Sequence, residues 1–310
     1  MRFSRRVVTI NHPPGKILPV QQLLTIDDQR AFSKAATLQG KRIGFVPTMG
    51  ALHAGHISLI ARARAVCDVV VVSIFVNPTQ FDNPEDFNAY PITLEDDLEQ
   101  LREAGVDAVF TPTKEELYPN GYCTFVEMVG PLTDKLCGVA RPGHFRGVTT
   151  IVSKLFHIVQ PNVAVFGEKD LQQVLIISRM VKDLDMPIEI IIGKTMREDD
   201  GLVMSSRNRR LDEVGRAKAL ALPRSLEMAR MSYQGGETNA IKLCEEVYGE
   251  LLLQDGVAVD YCDVISLKGF TEKEVADDSC FIAAAAFVDG VRLIDHVHLA
   301  GPEIVESLDD

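Results

Sequence analysis

The stretch 69–76, VVVVSIFV, limits the fold more than any other part of the chain. Consecutive β-branched residues suit a strand. A run with no polar alternation suits a strand covered on both faces. Such strands belong to parallel sheets, whose neighbours are joined by helical crossovers. The surrounding sequence has the matching texture. Strands are predicted over 23–26, 43–46, 68–76, 106–111, 163–166 and 188–192, with one more over 124–129. Helices are predicted between them, over 28–38, 55–67, 93–104, 148–159 and 171–184. Gly40, Gly105 and Pro161 stop three of these helices, and Thr93 caps one.

This alternation predicts an α/β fold. A Rossmann-like parallel sheet with helices on both faces would occupy 22–195, and a smaller C-terminal α+β domain would occupy 196–310. In the second part, two amphipathic helices over 213–231 and 238–253 are split by Gly235-Gly236. Strands over 257–266, 280–288 and 292–296 follow, the last two around Asp289-Gly290, a strong hairpin signal. Residues 1–21 read as an arm. It holds Arg2, Arg5, Arg6 and Lys16 and no acid, a faint likeness to an organelle transit peptide. The expected location is nonetheless the cytoplasm.

Composition removes several classes of function. No apolar run reaches the roughly 18–20 residues that span a bilayer. The net charge of −12, with no basic face, argues against a general nucleic-acid binder. Six scattered cysteines without CxxC spacing suit reduced thiols in the cytosol. There is no P-loop, no GxGxxG after the early strands and no Gly-x-Ser-x-Gly elbow.

The polar clusters lie where strands end. Pro47-Thr48-Met49-Gly50-Ala51-Leu52-His53-Ala54-Gly55-His56 follows a strand and opens a helix. Free N–H groups and the positive end of a helix dipole meet there, which describes an anion site. His53 and His56 share a helix face. Phosphate contact, a metal pair and a structural pair are all open readings, although a zinc site lacks a third ligand at helical spacing. Asn77 and Gln80 follow the next strand. Lys169 and Asp170 follow a later one, a cation for phosphate oxygens and an acceptor for a hydroxyl, or an ordinary helix start. Ser205, Ser206 and Arg207 put two hydroxyls and a guanidinium in one turn. Asp96, Asp97 and Gln100 share a helix and suit Mg²⁺, or are a solvated acidic face. Arg141, His144 and Arg146 in a Gly/Pro-rich loop suit an anion or an exposed loop equally.

Taken together and in this order, these motifs resemble those of the pantoate–β-alanine ligase family, within the HIGH-motif nucleotidyltransferase superfamily. The resemblance rests on PTMGALHxGH (47–56), VNPxQF (76–81), Tyr90-Pro91, Asp96-Asp97-Leu98, RPxHFxGV (141–148), FGEKDxQQ (166–173), RExDGL (197–202) and MSSRN (204–208). It covers about residues 22–300. It implies an ATP-dependent joining of pantoate and β-alanine to give pantothenate, AMP and pyrophosphate, through a pantoyl adenylate, with Mg²⁺. It implies that His53, His56 and Lys169 are catalytic. Pro47, Thr48, Met49, Gly50, Gly55, Gly167, Glu168, Asp170, Met196, Met204, Ser205, Ser206 and Arg207 would join them around ATP. Gln80, Gln173, Asn77 and Met49 would hold pantoate and β-alanine, and Asp96, Asp97 and Gln100 the metal. The second domain would act as a lid, and the protein would be a homodimer.

A few positions depart from the family pattern: Thr79, Leu171, Asp199, Val203 and His296. Asp199 is expected to bring a negative charge near the nucleotide. Two other functions compete with the ligase: an adenylyltransferase of the same superfamily, which has no need of paired Gln80 and Gln173, and a non-catalytic nucleotide-binding module, which has no need of both histidines.

Overall fold

The computed structural model describes residues 20–301, so almost all of the arm expected over 1–21 lies outside the described residues. The first domain is built on β1 (Gln21–Leu23), β2 (Ile43–Thr48), β3 (Val69–Ile74), β4 (Ala108–Phe110), β5 (Val163–Gly167) and β6 (Glu189–Gly193). They form one sheet in the order β1-β4-β3-β2-β5-β6, and every neighbouring pair is parallel. The connections contain α1 (Ile26–Leu38), α2 (Ala54–Val66), α3 (Pro84–Asn88), α4 (Leu94–Glu103), α5 (Lys114–Leu117), α6 (Cys137–Ala140), α7 (His144–Val159) and α8 (Leu171–Asp183).

The valine run does what its pattern requires. Val69 and Val71 join Phe45, Phe110 and Phe166 beneath α1, α7 and α8. Val70 and Val72 join Val46, Val109 and Val165 against Ile60 and Ala63 of α2 and Leu101 of α4. Alternate residues thus feed two cores, one on each face. From β2 the chain moves through β3 to β4, then returns to β5 on the other side of β2. The strand order therefore reverses between β2 and β5. Their carboxyl ends open a crevice, the usual ligand position in such sheets.

The second domain holds α9 (Glu213–Ala219), α10 (Ala221–Gln234), α11 (Ala240–Leu252), β7 (Val257–Ser266), β8 (Thr271–Glu272), β9 (Cys280–Val288) and β10 (Val291–His298). Its sheet is antiparallel, in the order β10-β9-β7-β8. Leu222, Leu226, Leu243 and Val247 of the helices cover Ile282, Ala284 and Ala286 of the sheet. Asp289 (φ 47°) and Gly290 (φ 82°) make the two-residue turn between β9 and β10. Both angles are positive, as a hairpin turn matched to strand twist demands. Leu136, Leu171 and Leu175 of the first domain pack on Ile265, Phe270 and Phe281 of the second.

Three expectations are corrected. The first strand lies at Gln21–Leu23, not 23–26, because Thr25 caps α1 and Ile26 already belongs to it. Residues 124–129 are not a strand. Their backbone is satisfied by α7 instead: Val126 N–H donates to Thr150 Oγ1 at 3.0 Å, and Thr149 Oγ1 donates to Val126 O at 2.6 Å. The helix expected over 213–231 is two helices. Pro223 has no N–H to bond the carbonyl of Ala219, so the helix restarts with the proline in its first turn.

One close contact positions the site. The first turn of α7 runs under the turn 78–80, and a Cβ on Gly147 would stand 2.2 Å from Thr79 O and 2.7 Å from Gln80 N. Both atoms are backbone and cannot swing away. Gly147→Ala is therefore expected to cost at least about 2 kcal/mol, read as a lower urea midpoint. An unchanged midpoint would show that the two segments are not locked together.

Candidate active site

A cavity of ≈ 230 Å³ opens at the carboxyl ends of β2 and β5. Its first wall is the turn after β2. Thr48 Oγ1 donates to Ser73 O at 2.7 Å and accepts from Gly50 N–H at 3.2 Å. The chain then reverses through Gly50 (φ 80°) and Ala51 (φ 51°). A left-handed alanine is strained by about 1 kcal/mol or more. Asp97, buried on α4, holds it there: its Oδ2 accepts from Ala51 N–H at 2.9 Å and its Oδ1 from Leu52 N–H at 2.8 Å. Thr93 Oγ1 also donates to Oδ1, at 3.2 Å. The two carbonyls of the turn are taken from the other side. Ser206 Oγ donates to Ala51 O, and an Arg209 guanidinium nitrogen donates to Leu52 O, each at 3.0 Å.

This turn delivers the histidines. His53 precedes α2, and its N–H donates to His56 Nδ1 at 3.3 Å. The rings lie 4.0 Å apart. Burial lowers the pKa of His53 to about 4, helped by the positive charge of Lys169. Burial likewise lowers that of His56 to about 3, helped by His53 and then Lys169. Both rings are neutral near pH 7. Because His56 Nδ1 accepts, its ring proton sits on Nε2. His53 Nδ1 is buried with no partner, a polar atom that a ligand would satisfy.

The second wall follows β5. Gly167 leads to Lys169 and Asp170, whose Nζ and Oδ1 stand 3.4 Å apart. Gln173 lies in the first turn of α8 and also faces the cavity. Gln172 turns the other way, accepting from Cys137 N–H at 3.1 Å and donating to Leu132 O and Lys135 O.

The third wall is the loop after β3. Gln80 reaches Met49 Sδ at 3.2 Å. Asn77 Nδ2 donates to Gln80 Oε1 at 3.0 Å and to Gly147 O at 3.2 Å. Asn77 Oδ1 accepts from Tyr118 Oη at 2.9 Å. The backbone of Gln80 is fixed as firmly. His144 Nδ1–H donates to Gln80 O at 2.6 Å, and Arg141 donates to the same oxygen at 3.1 Å. Arg141 also donates to Asp82 at 2.6 Å and meets His144 Nε2 at 3.3 Å. Burial, and then the Arg141 charge, lower the His144 pKa to about 3. Beneath Gln80 the floor is apolar: Phe75, Val148, Ile151, Val152 and Leu155.

The segment after β6 closes the cavity. Met196, Met204, Ser205, Ser206 and Arg207 line it, and so do Lys194 and Thr195, which the motifs had not singled out. The Thr195 hydroxyl is buried without a partner. Arg207 is held by Asp86, with one nitrogen 2.7 Å from Oδ2, and Arg210 reaches Oδ1 of the same aspartate at 2.7 Å.

Most residues drawn together from the sequence thus meet in one cavity, including Pro47, Thr48, Met49, Gly55, Gln80 and Gln173. Several do not. Gly50 is buried behind the turn, and a Cβ there would lie 2.9 Å from Asp97 Oδ2. Glu168 points away to His298, 3.0 Å from its Nε2. Asn77 does border the cavity, but its amide nitrogen is turned to Gln80 and Gly147. Asp96, Asp97 and Gln100 are outside the cavity lining. Asp96 is exposed, and both oxygens of Asp97 hold the turn. Asp97 thus has a positioning role in this turn. Asp199 is exposed and outside the lining, so it does not charge the cavity. Of the Gly/Pro-rich loop, Arg141 and His144 belong to the site, whereas Arg146 lies over the Phe125 ring.

The family model for Pantoate-beta-alanine ligase matches residues 21–298. The chain belongs to the pantoate–β-alanine ligase family. It is 49% identical over 275 residues to the pantothenate synthetase of Pelotomaculum thermopropionicum, covering 89% of this chain and 97% of the relative. It is 49% identical over 280 residues to that of Moorella thermoacetica, covering 90% and 99%. The crystal structure of pantothenate synthetase from Thermus thermophilus superposes with a TM-score of 0.84 at 40% identity, covering 90% of this chain and 99% of that one. Pantoate-beta-alanine ligase from Francisella tularensis, crystallised with beta-gamma ATP and beta-alanine, has a TM-score of 0.77 at 36% identity, covering 90% and 98%. The chain is an ATP-dependent ligase of this family.

Two measurements probe the geometry of the ligase site. Asp97→Asn leaves an amide where one backbone N–H needs an acceptor, so stability should fall by about 2–3 kcal/mol. The Mg²⁺ concentration needed for half-maximal activity should stay unchanged, and a large rise would restore Asp97 as a ligand. The histidines set the response to acid. His53, His56, His144 and His296 have folded-state pKa values of about 4, 3, 3 and 4, against 6.5 when unperturbed. The unfolded chain therefore takes up more protons below pH 6.5, and stability falls as pH falls. Each group contributes up to about 1.4 kcal/mol per pH unit. The melting temperature should drop steeply between pH 6.5 and 4. A flat profile over that window would contradict buried neutral rings.

Proposed function

We propose that this cavity joins pantoate to β-alanine in two steps, with ATP as the activating substrate. The pantoate carboxylate attacks the α-phosphorus. The bond from Pα to the bridging oxygen breaks, and pyrophosphate leaves with the electron pair. The β-alanine amine then attacks the acyl carbon of the adenylate. A C–N bond forms, the C–O bond to AMP breaks, and the amine proton passes to solvent.

The observation that carries this reading is the meeting of two neutral histidines, Lys169, Gln80 and Gln173 in one cavity at the strand-order reversal. His56 Nε2–H and the Lys169 ammonium act as fixed donors to phosphate oxygens whose charge grows in the transition state. Burial keeps the His56 ring neutral before a ligand arrives, with its pKa lowered to about 3. Gln80 and Gln173 hold pantoate by carboxylate and hydroxyl, over the apolar floor that takes its methyl groups. Met49, Gly55, Gly167, Asp170, Thr195, Met196 and Met204 surround the nucleotide. Ser205, Ser206 and Arg207 approach its phosphates from the segment that leads into the second domain, which acts as a lid.

Mg²⁺ accompanies ATP. Among the described residues the cavity holds no cluster of three metal-ligating side chains. Mg²⁺ would be held chiefly by phosphate and water oxygens, and Asp96, Asp97 and Gln100, outside the cavity lining, would act on it through water. The family resemblance implies a homodimer. Six free cysteines suit a cytoplasmic location, and no described helix is long and apolar enough to cross a membrane.

Incubation with ATP, Mg²⁺, D-pantoate and β-alanine should yield AMP only when both acids are present. AMP formed without pantoate would favour another adenylyl transfer. His56→Ala and Lys169→Ala should each lower adenylate formation by roughly 10²–10³-fold in a protein that still melts cooperatively. Near-normal turnover in either variant removes that residue from the mechanism.

A further inference from the structure

Glu168 turns away from the cavity, and its destination is a second cluster of ligating groups. It meets His296 and His298, two residues apart on β10 of the second domain. One ligand atom from each lies within 4.8 Å of the other two. Glu168 and His296 are buried, and His298 is partly so. Glu168 Oε1 is 3.0 Å from His298 Nε2. The two imidazoles stand edge to face, 5.7 Å between centroids, and both rest on Phe281.

We infer that Glu168, His296 and His298 form a binding site for a Zn²⁺-like transition-metal ion that bridges the two domains. The donor set is two imidazoles and one carboxylate, with room for an exogenous ligand. Zn²⁺ and its neighbours take such sets, whereas Mg²⁺ prefers all-oxygen surroundings. Bonds of about 2.0–2.1 Å put tetrahedral ligand atoms roughly 3.3–3.5 Å apart. The cluster therefore closes by side-chain shifts of about 1 Å, and the Glu168–His298 hydrogen bond gives way to the ion. His296 also borders a cavity of ≈ 80 Å³.

Burial lowers the His296 pKa to about 4, so its ring is neutral. Burial opposes the charge of Glu168, but the His298 hydrogen bond, with the Thr195 backbone amide, holds its carboxyl below the usual range. Glu168 adjoins Lys169, so an ion here would fix the loop after β5 against β10 and tie one wall of the ligase cavity to the second domain.

The test reads metal binding, so it is independent of the ligase reading. The full chain is stripped with a chelator, transferred to chelator-free buffer without nucleotide, and titrated with Co²⁺ for visible ligand-field absorption. Zn²⁺ is then titrated against a chromophoric chelator. One ion per chain is expected, with a visible band and a higher melting temperature. His296→Asn and Glu168→Gln should each weaken binding by about 100-fold while melting cooperatively in chelator. Should His296→Asn fail to fold, Glu168→Gln, which keeps the carboxylate's shape, decides the matter. Absence of a band at saturating Co²⁺ overturns the site. So does unchanged affinity in the folded variants, or loss of binding in His53→Ala, which would move the ion to the His53/His56 pair.

Discussion

The ligase site hangs on one carboxylate. Asp97 accepts the backbone N–H groups of Ala51 and Leu52 and so holds a left-handed alanine in place. Without an acceptor those amides would be buried and unpaired, at about 1–3 kcal/mol each. With it, the chain reverses and begins α2 with both imidazoles facing the cavity. The carbonyls of the same turn are held by Ser206 and Arg209. The two-residue turn is thus gripped from two directions, and the segment leading to the second domain is one of the grips.

Much of the fold could be read from the chain because its largest physical term is patterned in the sequence. The valine run needed cover on both faces, and alternate valines feed separate cores. Glycines and prolines marked most helix ends. What could not be read was pairing across long sequence distances. Residues 124–129 look like a strand by composition, but α7 hydroxyls satisfy them, and nothing local announces that partner.

The site divides in the same way. Residues that donate into the cavity sit at strand ends, where topology puts ligands, and they were legible. Asp97 has the composition of a metal ligand and the geometry of a turn clamp, and only its 2.8–2.9 Å contacts separate the two. Arg141 and His144 looked equally like a surface loop until their shared acceptor, the carbonyl of Gln80, was located. Glu168 stands in a nucleotide-binding motif, yet its partner lies 130 residues further along the chain. Thr195 carried no local signal at all.

The Asp86 contact has a consequence for how a nucleotide is received. Arg207 and Arg210 share that aspartate, and Arg207 borders the cavity with its guanidinium already in one place. A free arginine carries about 2 kcal/mol of rotamer entropy. Here most of that freedom is gone before any ligand arrives. On the proposed reading, a phosphate would meet an ordered side chain with an existing partner, and recruiting Arg207 would be an exchange of anions. The opposition to binding is electrostatic competition from one carboxylate, with little disorder left to lose.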